Sequence, residues 1–201
     1  MQKRKFIKFT SPIGTAVYPR LNTPDTKFDK DGVYSVDLDL TDGKPTNEFV
    51  AAIRKAADEA YKAECEKRGG KKLKRAELPI KENEDGGLRI KFKLKAKAGN
   101  EERSWAQKPM LFDAQGNPLQ NPPNVGSGST IRVSFELIPY FTAMVGAGVS
   151  LRMKAVQILD LKEYTPGDSF DSYGFKATDG FVVSSQSDST ATSDTEDESD
   201  F

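Results

Sequence analysis

Histidine is absent from the 201 residues, and cysteine occurs once, as Cys65. A single thiol permits neither an intramolecular disulfide nor a cysteine-based zinc site, so a reducing compartment fits. Without imidazole there is no Ser-His-Asp or Cys-His machinery and no histidine metal site. Apolar runs fall well short of the roughly 18 residues that span a membrane. The opening MQKRKFIKFTS carries charge but no apolar core, so it does not read as a secretory signal. These absences describe a soluble protein of the cytoplasm. Enzyme signatures are equally scarce. GSGST (126–130) lacks the GK[ST] ending of a phosphate-binding loop, and a turn before a strand explains it. Asp37 and Asp39 share one strand face and could hold Mg²⁺ for a nuclease. No further acid cluster is tied to them, and an acidic solvent face is the simpler reading.

What is present is charge, unevenly placed. The 30 Lys+Arg and 30 Asp+Glu cancel to a net charge of zero. Residues 165–201 take one lysine and nine acids, which leaves 29 basic and 21 acidic side chains, a net of +8, for residues 1–164. A basic body joined to an acidic tail points to a polyanionic partner.

Period-2 alternation dominates the body. RKFIKF (4–9) and IGTAVY (13–18) read as strands around a Ser11-Pro12 turn, and residues 19–32 as a loop. In GVYSVDLDL (32–40), Tyr34, Val36, Leu38 and Leu40 face one way and Ser35, Asp37 and Asp39 the other. Phe49, Val50, Ile53, Ala56, Ala57, Ala60 and Tyr61 form one apolar stripe, which predicts a helix over 46–68 capped by Thr46 or Asn47 and stopped by Gly69-Gly70. Residues 69–87 read as a polar, basic loop. LRIKFKLKAKA (88–98) is the strongest strand, followed by a connection with a short strand at 110–112. STIRVSFELIPYF (129–141) and residues 148–164 close the body, the latter long enough to bend or bulge. Residues 165–183 form an aromatic-containing linker, and 184–201 is too polar to fold alone. The expected architecture is mostly β: an OB-fold-like barrel of five to six strands over 1–164 with one capping helix, plus a disordered acidic tail. A β-sandwich is the alternative.

The chemistry-bearing feature is the outward row Arg89, Lys91, Lys93, Lys95 and Lys97, spaced about 7 Å apart along one strand face. That spacing is comparable to successive phosphates on an extended single strand. Like charges so close repel unless an anion sits opposite, although lysines also protect edge strands from aggregation. Single-strand binding without sequence preference needs cations for the backbone and aromatic faces for bases. Tyr140, beside Phe141 at a strand end, and Trp105, in the polar stretch EERSWAQK, are the candidate stacking rings. Arg132 has the outward parity of its strand, and Lys154 is a further cation on the next. The tail acids Asp194, Glu196, Asp197, Glu198 and Asp200 lead to a final aromatic, Phe201. Tethered to a basic groove, they would compete with nucleic acid, and an aromatic beside a terminal carboxylate gives a partner protein an anchor.

The segments GVYSVDLDL, IKFKLKAKA, LFDAQGNPL, VGSGSTIRVSFELIPYFTAMVGAGVSLRMKAVQILDL and DGFVVSS, with the ending SDF, resemble the replication single-stranded DNA-binding proteins of short-tailed podophages. The likeness covers most of 32–201, most specifically 129–161. It implies an OB-fold core, a homodimer, strand annealing in phage replication and recombination inside the infected bacterial host, and no enzymatic activity, cofactor or metal. It also implies contact of the acidic tail and its Phe with phage DNA polymerase and primase-helicase. The family's DNA-contacting lysines correspond to Lys3, Lys91 and Lys93, a cation of that family to Arg132, and its stacking tyrosine to Tyr140. Lys95 stands where the family has an aromatic and Ser134 where it has a lysine. The expected function is therefore sequence-tolerant single-stranded DNA binding; an RNA-binding OB module is the first alternative and a Mg²⁺-dependent nuclease the second.

Overall fold

The computed structural model describes residues 6–99 and 103–164. Lys3, the linker 165–183 and the acidic segment with Asp194, Glu196, Asp197, Glu198, Asp200 and Phe201 lie outside the described residues. In chain order the elements are β1 (Lys8–Thr10), β2 (Gly14–Asp25), β3 (Val33–Leu40), α1 (Lys44–Lys67), β4 (Ile80–Glu82) and β5 (Leu88–Lys95). They continue with β6 (Lys97–Gly99), β7 (Ser104–Ala106), β8 (Met110–Phe112), β9 (Thr130–Thr142) and β10 (Gly146–Asp160). No helix among the described residues is long and apolar enough to cross a membrane.

Alternation places the core. Tyr34, Val36, Leu38 and Leu40 on β3 and Ile90, Phe92 and Leu94 on β5 are buried, as period 2 requires of strands with one apolar face. β3 pairs antiparallel with β5 in unbroken register from Val33↔Lys95 to Leu40↔Leu88. β2 pairs with β3 on its other side, and also with β9 through Gly14↔Ile131 and Thr15↔Thr130. β9 and β10 form a long antiparallel hairpin, and β10 returns to β5 in parallel at Arg152↔Lys93. The circuit β2-β3-β5-β10-β9-β2 closes a five-stranded barrel with one parallel contact, the OB-fold arrangement. β1 adds to the outer edge of β9, β8 to β10, and β4 to β5.

Phe135 sits at the centre of the barrel, with the rings of Phe9, Phe92 and Phe49 at 5.5, 4.9 and 5.9 Å between centroids. Phe49 comes from α1, which presents Phe49, Val50, Ile53, Ala56 and Ala57 to the core and so caps the barrel. The helix starts before the expected cap. Gly43 is the N-cap, and Pro45 occupies the first turn, where its missing N–H costs nothing and its φ is already helical. Thr46 instead donates its hydroxyl to the Thr41 carbonyl, and Asn47 donates to Asp42. At the other end the Gly70 N–H donates to the Cys65 carbonyl, so the Gly-Gly stop falls where expected.

Four further differences separate expectation from structure. The first strand covers Lys8–Thr10, displaced toward the turn. β2 runs on to Asp25, shortening the 19–32 loop, because two register breaks between Val17 and Asp25 absorb Pro19 and Pro24. Tyr18 takes φ 47° at the first break, and Leu21 returns to the core. The 69–87 loop contains β4 and a parallel bridge from Arg75 to Ala147. The single strand expected over 88–98 is broken at Ala96, so Lys97 belongs to the small β6–β7 hairpin and not to the β5 face, while the expected strand at 110–112 is present as β8. The bend anticipated in the last strand is also there, as register shifts between Met153 and Ala155 and between Ile158 and Asp160. GSGST is a joint in the barrel wall: Gly128 donates its N–H to Ala16, and the Ser129 hydroxyl accepts from Lys162 N–H.

Candidate nucleic-acid interface

The outer surface of β3, β5, β10 and β9 forms a groove of about 910 Å³. Its floor is built from Ser35, Lys93, Ser150, Arg152 and Ile138, one or two residues from each strand. The loop 26–32 and the β6–β7 hairpin form its rim, and Lys91, Lys95 and Lys97 line it beside Lys93.

The cationic row is not free of acids, as local sequence suggested; the acids come from elsewhere in the chain. Register puts Asp39 opposite Arg89 and Asp37 opposite Lys91. Arg89 grips Asp39 with two bonds, Nε to Oδ1 at 2.6 Å and Nη2 to Oδ2 at 2.7 Å. This hydrogen-bonded carboxylate holds the guanidinium firmly protonated, pushing its pKa above the usual arginine range. Lys91 Nζ lies 3.6 Å from Asp37, Lys95 Nζ 3.3 Å from Asp29 and Lys97 Nζ 3.5 Å from Asp31. Opposite Lys93 stands Ser35, and no acid among the described residues lies within salt-bridge reach of its ammonium. Lys93 is thus the unneutralised position at the centre of a neutralised row. Asp37 and Asp39 are ion-pair partners, which corrects both the acidic solvent face and the Mg²⁺ site. Among the described residues no group of three or more Cys, Asp or Glu side chains is placed to hold a metal ion.

The remaining candidates are distributed around the groove and beyond it. Tyr140 has the outward parity of Ile138, two residues further along β9, and its ring lies over Gly148, where a Cβ would come within 2.9 Å of the ring. Phe141 beside it is covered by the Arg68 guanidinium, 3.7 Å from the ring centroid. Trp105 is half exposed in a neighbouring depression with Tyr34 and Lys108, outside the groove. Arg132 pairs with Gln157 near the other end of β9, about 20 Å from Ile138 by strand rise. Its Nε is buried without a hydrogen-bond partner. Lys154 is the exposed extra residue of the β10 bulge. The structure therefore gathers Lys91, Lys93 and Lys95 and leaves Trp105, Arg132 and Lys154 apart.

Three residues of this surface escaped the sequence reading, Arg152 and Phe28 lining the groove and Tyr18 lying outside it. Arg152 sits beside Lys93 in parallel register, bound to Glu136 at 2.5 Å with the Phe6 ring 5.0 Å away. Its outward parity on β10 was the available signal. Phe28 is 91% exposed on the groove rim, in the polar stretch TKFDKDG, a composition like that around Trp105. Tyr18 is 74% exposed, held out by its positive φ at the β2 break next to the Asp37–Asp39 end of the row.

Comparison with known proteins adds an independent line. Residues 13–161 match the family model described as single-stranded DNA-binding protein, bacteriophage T7. The single-stranded DNA-binding protein of Enterobacteria phage T3 is 30% identical over 201 residues, covering 89% of this chain and 86% of that one. The crystal structure of gp2.5, a single-stranded DNA-binding protein encoded by bacteriophage T7, superposes with a TM-score of 0.72 at 29% identity, over 90% of this chain and 100% of that one. The single-stranded DNA-binding protein of bacteriophage Enc34, solved in complex with single-stranded DNA, shares the fold at a TM-score of 0.51 and 16% identity, over 78% and 88% of the two chains.

Proposed function

The chain belongs to the bacteriophage T7 single-stranded DNA-binding protein family, and from that premise we propose that it binds single-stranded DNA across the outer barrel face. The observation that carries the assignment of the groove is Lys93, a cation without an acid partner among cations that have one. A phosphate entering at Lys93 meets no competing carboxylate. At Lys91, Lys95 and Arg89 it must displace an aspartate, so those residues act as secondary contacts that keep their ammonium and guanidinium groups in place before DNA arrives. Tyr140 extends the same face as a stacking ring. Lys3, Trp105, Arg132 and Lys154 serve a strand that continues beyond the groove. Binding is non-enzymatic, independent of metal, and tolerant of sequence, because phosphates and base faces are common to every nucleotide.

The wider role is in phage DNA replication and recombination within the cytoplasm of the infected bacterium, including strand annealing by a homodimer. The segment 184–201, with Asp194, Glu196, Asp197, Glu198 and Asp200 and no base, offers carboxylates in place of phosphates and competes with DNA. Once displaced, it recruits the phage DNA polymerase and primase-helicase, with Phe201 as the apolar anchor.

A salt titration of binding to single- and double-stranded DNA, on the full chain and on a chain lacking 184–201, tests this reading. Single strands are expected to bind more tightly, with a log–log slope of about −0.7 per phosphate neutralised. Removing 184–201 should tighten binding at low salt; equal affinity of the two chains would remove the competition, and preference for duplex would remove the function itself.

A further inference from the structure

The groove has a phosphate-binding floor, yet neither Trp105 nor Tyr140 lines it; among the described residues that do, the one aromatic is Phe28. We propose that Phe28 is the base-stacking platform of the groove, so that a nucleotide whose phosphate sits at Lys93 lays its base on this ring. The inference rests on the single-stranded DNA reading and adds a residue that determines how the base is held.

An apolar ring that is 91% exposed in a seven-residue loop ordinarily folds back toward the core, since burial of a phenyl ring is favourable. Here the loop is held open from both ends. Asp25 accepts the Lys27 N–H at 2.9 Å, and Asp29 accepts the Asp31 N–H at 3.1 Å. The Gly32 N–H donates to the Asp29 carbonyl at 2.9 Å, and the Gly32 carbonyl accepts the Ala96 N–H at 2.8 Å. Gly32 makes that closure at φ +85°, a conformation that side chains rarely adopt. The ion pairs Asp29–Lys95 and Asp31–Lys97 then fasten the loop to β5 and β6. Phe28 is consequently carried, exposed, on the groove rim by a loop fastened on both sides of it.

Charge orients the strand. On the side of Phe28 the groove is lined by Asp25, which has no cation partner among the described residues, and by Asp29 and Asp31 paired with Lys95 and Lys97, whereas the unpaired cation of the floor is Lys93. A polyanion backbone avoids the carboxylates and follows the lysines, which leaves the uncharged bases facing the rim. Lys27 Nζ lies over the Phe28 ring, 5.5 Å from its centroid, a cation–π contact that leaves the opposite face for a base. A phenyl face accepts any of the four bases, which accords with sequence-tolerant binding.

Affinity for a thymine oligonucleotide and for an abasic oligonucleotide of the same length, measured across a salt series, tests the assignment. Phe28→Ala is expected to weaken thymine-strand binding about 5- to 150-fold, the value of one stacked base, with the salt slope unchanged. Phe28→Tyr should retain affinity and Phe28→Leu should not, because bulk without a planar face cannot stack. On the abasic strand all four proteins should bind alike. Equal affinity of Phe28→Ala and the unaltered chain for the thymine strand would overturn the proposal. So would an equal loss on both strands, which would mark Phe28 as a structural support of the loop. If the unaltered chain fails to bind the thymine strand, the single-stranded DNA reading falls first.

Discussion

Strand β5 carries two surfaces organised by different rules. On its inner side Ile90, Phe92 and Leu94 are 0%, 0% and 3% exposed, and what matters there is apolar volume packed against Phe135 and the helix cap. On its outer side Arg89, Lys91 and Lys95 each face one named carboxylate, and Lys93 faces a serine. The inner surface is collective, so loss of one ring is felt by every neighbour. The outer surface is assembled pair by pair, so a substitution there changes the charge at one position and leaves the barrel standing. Apart from the part-buried, bidentate Arg89–Asp39 pair, these are surface ion pairs worth about 0–1 kcal/mol each to folding, so the outer pattern adds far less to stability than the apolar face.

The contrast is sharpest in the substitution expected to have the largest effect. Phe92→Ala should cost about 3–5 kcal/mol of folding stability, read from urea unfolding, because it leaves a cavity beside Phe135. Lys93→Glu, one residue away, should leave the unfolding midpoint nearly unchanged and lower affinity for single-stranded DNA by about two orders of magnitude, the value of a charge-assisted contact and its reversal. A large loss of stability in that variant would break the distinction between the two faces. Asp37→Asn should do the opposite to binding: it releases Lys91, so affinity rises a few-fold and the salt slope steepens by up to about 0.7. An unaltered slope would mean that phosphate never reaches Lys91.

The smallest effect serves as a control on carboxylates that have no cation. Asp113 accepts hydrogen bonds from the Asn117 side chain, the Asn117 N–H and the Gln115 N–H, and these hold its pKa below the ordinary carboxylate range. A depressed folded-state pKa stabilises the fold above the unfolded pKa of about 4, and this contribution is lost as pH falls through the lower folded value. Asp113→Asn should therefore flatten a small part of the acid limb of stability below about pH 4 and leave DNA affinity untouched. A thermal-unfolding series between pH 2 and 6 checks it.

Much of this was legible in one dimension because strand alternation is a local property. The burial of Tyr34, Val36, Leu38 and Leu40, the outward lysines of β5, the short β8 and the bent β10 all follow from side chains taking opposite sides at successive residues. The helix stripe was equally readable, whereas its start was not, since Pro45 outranked the hydroxyl and amide caps beside it. Acid partners of the lysine row were invisible for a different reason. Arg89 and Asp39 are 50 residues apart in the chain, and only the β3–β5 register makes them neighbours. Phe28 was missed because a lone ring in a polar loop has two outcomes, folded back or held out, and the contacts that hold this loop, Gly32 to Ala96 among them, join segments far apart in the chain.

Sequence alone set out a mostly β body with a basic outer strand face, with barrel preferred and sandwich still open, because periodicity and net charge are sums over local residues. Which of five neighbouring cations is left without an acid, and which aromatic lines the same groove, came only from tertiary structure. Electrostatic neutralisation and ring exposure depend on distances of a few ångströms between segments that the chain order keeps far apart.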